Sequence, residues 1–507
     1  MEAIKHKTFF GHPAGLLILL ATEMWERFSF YGMKALLLFY LTRYHLFSDS
    51  SGYALLGSYA FLVYAMPVLG GHLADKYIGF RKSITFGAIL LVLGHLGMAY
   101  EGQAAKMVDG VRVQDDFALQ VFYFSLALIV MGVGFLKSNI SSIVGELYEE
   151  NDPRRDSGFT LFYMGINVGA LLATIVCVYL GEEYGWGYGF GAAGVGMVLG
   201  LIVFIAGRPY LEGHGEPQSL EAIRKKKYGI RVEHWIYILS VLGTFIVWQM
   251  IQSHSVVQAL LMFAGAGSLA YIIYYAAKHL DKVAREKLIA LTILIIFTVV
   301  FWSLFEQAYM SLNLFAERII ELSVAGFELK PGWFLGLNSF FIIVLAIVFS
   351  KLWVWLEKRN LNPNTSIKFA YALILVGLGF GALVLGGVVS GEEGKVAFYW
   401  LVLAYLLHTC GELCLSPIGL SVVTKLSPQK ILGFMMGVWF LATASSEFIA
   451  AKISDLASVD HLETGDFIST KAAYIDLYLY LFYAGIISGV VLIICSPFIK
   501  RLMHGVK

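Results

Sequence analysis

Apolar runs of about 20 residues recur from one end of the chain to the other, and this feature limits the fold most strongly. A helical run of that length crosses roughly 30 Å of hydrocarbon. Hydrophobic residues make up 58% of the 507 residues and charged residues only 14%, whereas soluble domains carry about 25% charged residues. We therefore predict an all-α polytopic membrane protein. Its fourteen predicted spans lie at 14–42, 53–74, 83–101, 117–147, 157–181, 186–207, 233–251, 256–277, 288–316, 333–357, 367–389, 397–425, 431–454 and 474–499.

The spans form a group of six, a pair and a second group of six, separated by polar segments rich in Lys and Arg. This order predicts an N-terminal six-helix bundle at 1–207 and a C-terminal six-helix bundle at 288–507. Between them, residues 208–287 are predicted to form a cytoplasmic linker with two additional transmembrane helices. Two six-helix halves joined by a basic region are the plan of the major facilitator superfamily, whose substrate site lies near mid-membrane.

The distribution of Lys and Arg predicts the orientation of the chain. If the N-terminus is cytoplasmic, the cytoplasmic segments hold 26 of these residues and the opposite side holds 8. Cytoplasmic loops carry the excess of Lys and Arg in membrane proteins, so both termini are predicted to be cytoplasmic. The net charge is +1 and the charges lie in short loops, so no nucleic-acid partner is expected.

The first span contains charged residues that lipid does not tolerate without a partner or a wet cavity. Glu23, Glu26, Arg27, Tyr31 and Lys34 follow one another at spacings of 3, 1, 4 and 3, which places them on one stripe of a helix. Glu23 can reach Arg27 one turn away, and Glu26 lies beside both. Two readings are open: a self-satisfied ion cluster that joins helices, or a proton switch in which two acids share one cation.

Other polar residues within predicted spans fit the same cavity. The first half supplies cations and the second half carboxylates, and a zwitterion spanning the halves would find both of its ends paired. Any single Asn or Tyr here also fits a helix–helix hydrogen bond, and Trp302 and Trp439 fit either side-chain pockets or packing. Glu447 is expected near the outer surface and is left outside the site. The further candidates are Tyr64, Lys137, Asn167, Glu306, Asn338 and Glu412.

Six segments together make the chain resemble the proton-dependent oligopeptide transporter (POT) family over essentially its whole length. They are EMWERFSFYG, GGHLADKYIGFRKS, FTLFYMGINVGALL, FWSLFEQ, GLNSFF and GELCLSPIGLS. The central helix pair is also typical of bacterial members. The resemblance implies import of di- and tripeptides with protons by alternating access, without a cofactor and with protons as the coupling ion.

The resemblance also assigns roles to individual residues. The proton-coupling group would be Glu23, Glu26, Arg27, Lys137 and Glu306. The peptide carboxylate would meet Lys34 and Lys137, and the peptide amine would meet Glu412 with Asn167 and Asn338. The pocket would be lined by Tyr31, Tyr64, Trp302 and Trp439.

Three positions depart from the family pattern. Lys34 stands where the family usually has Arg, and a Lys lacks the paired hydrogen bonds that Arg offers a carboxylate. Phe30 replaces a usual Tyr and removes a hydroxyl. Ser138 replaces a usual Pro beside Lys137, which predicts a straighter fourth span. These departures bear on peptide length preference and affinity.

Other function classes fit less well. An enzyme would need a nucleophile–base pair or a metal site near a membrane face, and His408 stands alone and is interpreted as a packing residue. The chain has no G-x-x-x-x-G-K-[ST] nucleotide motif. A transporter of another substrate, such as nitrate or a modified amino acid, and a channel remain the alternatives. The expected setting is the bacterial inner membrane, with the protein functional as a monomer.

Overall fold

The computed structural model describes residues 8–9, 11–149, 152–324, 326–458 and 466–506. Long helices dominate this part of the chain, and fourteen of them have 19 or more residues, as many as predicted. The helices are α1 (Ala14–Phe39), α2 (Asp49–Leu73), α3 (Phe80–Met98), α4 (Asp116–Glu146), α5 (Arg155–Tyr184), α6 (Trp186–Gly207), α7 (Leu220–Arg224), α8 (Val232–Ile251), α9 (His254–His279), α10 (Lys282–Phe305), α11 (Ser311–Arg318), α12 (Gly336–Lys358), α13 (Thr365–Val389), α14 (Phe398–Leu426), α15 (Leu432–Ser454) and α16 (Phe467–Leu502).

Twelve of the long helices in the described residues are both long and apolar enough to cross a membrane by length and composition. The other two are α1, which carries the charged stripe, and α3, which begins beside Arg81 and Lys82. Both therefore remain membrane helices by their length and their place in the fold, and the charges they carry need protein partners.

The strands are short and lie between helices. Four antiparallel pairs form, β1 with β2, β3 with β4, β5 with β6 and β8 with β9, and β7 pairs with β10 in parallel. Their bounds are β1 (Thr8–Phe9), β2 (His12–Pro13), β3 (Lys106–Val108), β4 (Val111–Val113), β5 (Lys226–Lys227), β6 (Ile230–Arg231), β7 (Ile320–Glu321), β8 (Ser323–Val324), β9 (Phe327–Glu328) and β10 (Val396–Ala397).

Side-chain caps mark where several helices begin. Asp115 caps α4 and accepts a hydrogen bond from the backbone N–H of Ala118, and this bond, together with one from the N–H of Gln103, lowers the pKa of Asp115. Asn364 caps α13 in the same way. These caps satisfy backbone donors that would otherwise lack partners at the first turn.

The predicted span 288–316 is not one continuous helix, and this is a correction to the sequence analysis. α10 ends at Phe305, a 3-10 turn covers Glu306–Tyr309, and α11 begins at Ser311 after Met310, whose backbone angles are φ −121° and ψ −105°. The segment contains neither Pro nor Gly, the usual causes of a helix break. The break places Glu306 at the end of a helix.

Contacts divide the chain into two compact units. The first unit is Met1–Leu46 with Leu62–Ser253, and the second is Phe47–Phe61 with His254–Lys507. The N-terminal half of α2 therefore belongs to the second unit, although the rest of α2 belongs to the first. The division into two six-helix bundles and a separate central region stays a prediction.

Within the first unit, α1 packs against α5 and α6, and α3 packs against α4. Glycines allow these helices to approach closely: a Cβ on Gly169 of α5 would lie 2.1 Å from the carbonyl oxygen of Met24 in α1. α8 packs against α4, where Phe245 and Trp248 contact the ring of Phe124. The first helix of the central pair is thus part of this unit.

Within the second unit, α13 packs against α14 and α16, and α10 packs against α15. The N-terminal half of α2 is held by an ion pair in which both Arg318 Nη atoms donate to Asp49, at 2.6 and 2.8 Å. A further hydrogen bond of 2.8 Å joins Ser58 to His254 at the start of α9. The second helix of the central pair is thus part of this unit.

Candidate functional site

The charged stripe of α1 forms the ion cluster that its spacing predicts. Arg27 Nε lies 2.9 Å from Glu23 Oε1 and 2.5 Å from Glu26 Oε2. Glu23, Glu26 and Arg27 are 3%, 1% and 4% exposed, so the cluster is removed from both water and lipid. One guanidinium therefore faces two buried carboxylates, which leaves the trio with one negative charge when both acids are ionised.

Lys137 on α4 contacts an aromatic face. Its Nζ lies 3.9 Å from the centroid of the Tyr64 ring of α2, a cation–π contact. Lys137 is also within electrostatic range of Glu26, Arg27 and Lys34. The structure thus brings the predicted residues of α1, α2 and α4 together in one charged region of the first unit, while a direct pairing of Lys137 with an acid of α1 stays a prediction.

Asn167 on α5 is buried, and its amide nitrogen donates to the carbonyl oxygen of Tyr163 at 3.0 Å within the same helix. Tyr31 on α1 is half-buried, and its ring makes an edge contact with Phe30. Both residues lie in the first unit, and their predicted contacts with a peptide stay predictions.

In the second unit, Glu412 on α14 is held by Asn338 on α12. Asn338 Nδ2 donates to Glu412 Oε2 at 2.8 Å and to Thr409 Oγ1 at 3.1 Å. Thr409 in turn donates to the carbonyl oxygen of Tyr405 at 2.7 Å. Glu412 and Asn338 are two of the three residues expected to hold the peptide amine. Thr409 was not among them, although its spacing of three residues from Glu412 places it on the same helix face. The carboxylate is oriented by side chains from two helices.

The remaining predicted residues of the second unit lie near the helix break. Glu306 is buried in the 3-10 turn, and Trp302 packs edge-to-face against Phe305 one turn earlier. Trp439 on α15 is buried against α14, where a Cβ on Gly419 would lie 2.4 Å from its ring. The contacts of Trp302 and Trp439 are those of packing residues. Their role in lining a peptide pocket stays a prediction.

His408 lies among aromatic rings, with its ring centroid 4.8 Å from that of Phe380. It is 2% exposed, which is the position expected of a packing residue.

The predicted site residues form two sets, one in each unit: cations and the ion cluster in the first, and the carboxylates Glu306 and Glu412 in the second.

The model of the POT family matches residues 81–468 of the chain, well over half of its length. The chain belongs to the POT family. A relative of this family, an uncharacterized transporter YclF of Bacillus subtilis (strain 168), is 38% identical and covers 100% of this chain and 98% of its own. The peptide transporter YePEPT of Yersinia enterocolitica is 34% identical and covers 99% of this chain and 97% of its own.

Solved structures of POT proteins have the same fold. A crystal structure of a peptide transporter POT in complex with sulfate superposes with a TM-score of 0.81 and 35% identity, covering 99% of this chain and 98% of the other. A POT family transporter in complex with 5-aminolevulinic acid gives a TM-score of 0.80 at 29% identity, covering 98% of each chain. The predicted major facilitator fold and family are confirmed, and the chain is a multi-pass membrane transporter, not an enzyme.

The departures from the POT pattern have structural consequences. Phe30 is 2% exposed, and its ring centroid lies 5.6 Å from the guanidinium carbon of Arg27, so an aromatic face meets the ion cluster where a hydroxyl is usual. Ser138 Oγ donates to the carbonyl oxygen of Pro67 at 3.4 Å, and α4 continues unbroken through it. Lys34 is 1% exposed, so its charge is enclosed by protein.

The expectation for Glu447 is wrong. This residue is not near a solvated surface, because its side chain is 0% exposed and α15 continues for two more turns to Ser454. The sequence does indicate that this position is buried, because Ser446 and Ala450 beside it are small residues of the kind that allow close helix contacts.

Proposed function

We propose that this POT-family chain imports di- and tripeptides together with protons by alternating access. The observation that carries the proposal is the opposite charge of the two sets of residues. The first unit holds the buried Lys34 and the half-buried Lys137, and the second holds the buried Glu412 with its half-buried partner Asn338. A peptide offers a carboxylate, which matches the two cations, and an ammonium group, which matches Glu412.

The proposed contacts follow from this match. Lys34 and Lys137 would receive the peptide carboxylate, and Glu412 would accept the peptide amine with Asn167 and Asn338 nearby. Tyr31, Tyr64, Trp302 and Trp439 would line the pockets for side chains. A relative from Lactococcus lactis subsp. cremoris that is 33% identical over 99% of this chain is named a di-/tripeptide transporter, which supports the same substrate class.

Protons would enter through the ion cluster of α1 and through Glu306. The second carboxylate beside Arg27 is the natural acceptor, because a proton there removes the excess negative charge of the trio. Moving one charge through a potential of about 100 mV supplies about 2.3 kcal/mol, which supports roughly fifty-fold accumulation of a neutral peptide. One or a few protons per peptide therefore suffice to drive accumulation, and the proposal needs no cofactor.

The test is uptake of labelled dialanine into proteoliposomes. With the outer buffer more acidic than the lumen and a negative lumen, we expect accumulation above the outer concentration, abolished by a protonophore. Di- and tripeptides should compete, whereas free amino acids and nitrate should not. Uptake that only equilibrates, or competition by nitrate alone, would contradict the proposal.

We also propose that the protein works as a monomer with both termini in the cytoplasm of a bacterial cell. The charge asymmetry of the loops supports the orientation. Labelling of single introduced cysteines by an impermeant reagent tests it: positions before α1 and after α16 should stay unlabelled in intact cells, while a position in the β3–β4 loop should react.

A further inference from the structure

We propose that Glu447 on α15 is a second proton-binding residue of the transport cycle, serving the second unit as the α1 cluster serves the first. This inference rests on the proposed proton coupling and adds a residue that neither the family pattern nor the site described above includes. The argument comes from the burial of Glu447, from the polar groups on its helix face and from a small cavity beside it.

A carboxylate at this position is expensive. Glu447 is fully buried in a membrane-spanning helix, where an ionised acid costs several kcal/mol unless partners or a proton compensate it. A glutamine of the same shape would fill the site without that cost. Glu differs from Gln here in one property, because its side chain can alternate between a charged and a neutral form.

The face of α15 that carries Glu447 meets the helix break that carries Glu306. Gln307 Nε2 donates to the carbonyl oxygen of Ala450 at 3.0 Å, and Ser454 Oγ donates to Gln307 Oε1 at 2.7 Å. Ala450 and Ser454 follow Glu447 by three and seven residues, so they share its face. The turn containing Glu306 therefore packs on the same stripe of α15 as Glu447.

A cavity lies one turn from Glu447 toward the end of α15 that is predicted to face outward. It measures about 20 Å³ and is lined by Phe448 and Ala451, which follow Glu447 by one and four residues, and by Ser50, Ala54, His254, Lys452 and Asp455. A volume of about 10–15 Å³ is enough for one water where polar partners are present. A water held there would lie within one helical turn of Glu447, and we assign it the entry of the proton.

The elements around Glu447 carry both acids and cations among the described residues. The charged groups and histidines on them are Glu306 in the 3-10 turn, His408, Glu412 and Lys425 on α14, His254, Lys278 and His279 on α9, Asp49 on the N-terminal half of α2, Lys430 just before α15, and Lys452 and Asp455 at the end of α15. The charges of α10 lie in its first two turns, at 282–287, far from this level. We assign Glu306 as the residue that exchanges a proton with Glu447, because it is the acid nearest in sequence to Gln307.

The chemical step is a proton transfer only. A proton from the outer side forms an O–H bond with a Glu447 carboxylate oxygen, which gives the neutral acid. When that bond breaks, the proton passes to Glu306, and Glu447 returns to its ionised form. A new O–H bond forms at a carboxylate oxygen of Glu306, and no other bond forms or breaks.

The test compares Glu447→Gln with wild type, Glu26→Gln and the matched control Glu286→Gln, which removes a partly exposed acid paired with His504 in the same unit. Each protein is assayed for counterflow of labelled dialanine without a gradient and for gradient-driven accumulation. For Glu447→Gln we expect near-normal counterflow and a fall in accumulation of up to about fifty-fold at about 100 mV, because one coupled charge is lost. Glu286→Gln should match wild type.

Three results separate the possible failures. If wild type itself fails to accumulate peptide, the proposed function is wrong. If wild type accumulates and Glu26→Gln does not, but Glu447→Gln accumulates normally, the inference about Glu447 is wrong. If Glu447→Gln does not fold, Glu447→Asp decides: restored accumulation supports proton binding, whereas equal loss of counterflow and accumulation in a folded Asp variant assigns Glu447 a packing role.

Discussion

Arg27 supplies a single positive charge to the two buried acids of α1. Its Nε contacts both Glu23 and Glu26, and all three side chains are buried. Such a trio is stable either with one acid protonated or with an additional cation nearby. A peptide carboxylate that engages Lys137 would remove cationic compensation from the trio, and this competition links peptide binding to proton binding.

Replacing Glu26 with Gln should uncouple transport from protons. The variant keeps the shape of the side chain but cannot lose or gain a proton, so counterflow should persist while gradient-driven accumulation falls toward equilibration. Uptake of labelled dialanine in proteoliposomes measures both. Glu221→Gln, an exposed acid on α7, is the control, and an accumulating Glu26→Gln protein would refute the assignment.

Replacing Glu412 with Ala should weaken peptides with a free amine more than N-acetylated ones. Hydrogen bonds to charged groups contribute about 1.5–3 kcal/mol, so the affinity for free-amine peptides should fall by about tenfold or more. Inhibition constants of matched acetylated and free dipeptides measure this, with Glu357→Ala, an exposed acid at the end of α12, as control. Equal losses for both peptide classes would exclude the amine contact.

At the scale of the elements, close helix contacts depend on a few glycines. A Cβ on Gly169 would collide with the backbone of α1 near the ion cluster, whereas Gly265 on α9 has no atom within 4 Å of a Cβ. The helix that carries the charged stripe is therefore positioned by backbone contact with α5, and the peripheral helix α9 tolerates larger residues.

Gly169→Ala and Gly265→Ala form a matched pair. The first should lower the thermal stability and proton-driven uptake, because the contact with Met24 at 2.1 Å forces α1 and α5 apart. The second should leave uptake unchanged and slightly raise stability, since Ala is favoured over Gly in a helix by about 1 kcal/mol. Melting curves in detergent measure the difference, and equal melting points would show that α1 can shift freely.

At the scale of the whole molecule, hydropathy predicted the number, order and approximate ends of the long helices because each span has to cover a fixed thickness of lipid. The contact of Glu23 with Arg27 followed from helical spacing alone. The helix break at Glu306 did not follow from the local sequence, because the segment lacks Pro and Gly. The hydrogen bond from Gln307 in this break goes to α15, which is distant in sequence. The burial of Glu447 and the contact of Thr409 with Asn338 also depend on neighbouring helices that no local pattern describes.

The segment after α6 is held to the first unit by backbone hydrogen bonds of Gly215, and Gln218 beyond them is exposed. The Gly215 N–H donates to Glu146 Oε2 at 2.8 Å, and its carbonyl accepts from the N–H of Arg81 at 2.9 Å, whereas Gln218 is exposed. A protease recognition sequence inserted after Gln218 should preserve uptake before and after cleavage. The same insertion after Gly215 should impair uptake, and equal activity of both insertions would contradict this role of Gly215.

α2 runs unbroken from Asp49 to Leu73, yet its two parts belong to different units. In the proposed alternating-access cycle, we expect α2 to flex between these two parts. Pro67 removes a backbone donor close to the boundary, which lowers the stiffness of the helix there. Pro67→Ala should therefore slow uptake of labelled dialanine while leaving the half-saturating peptide concentration unchanged.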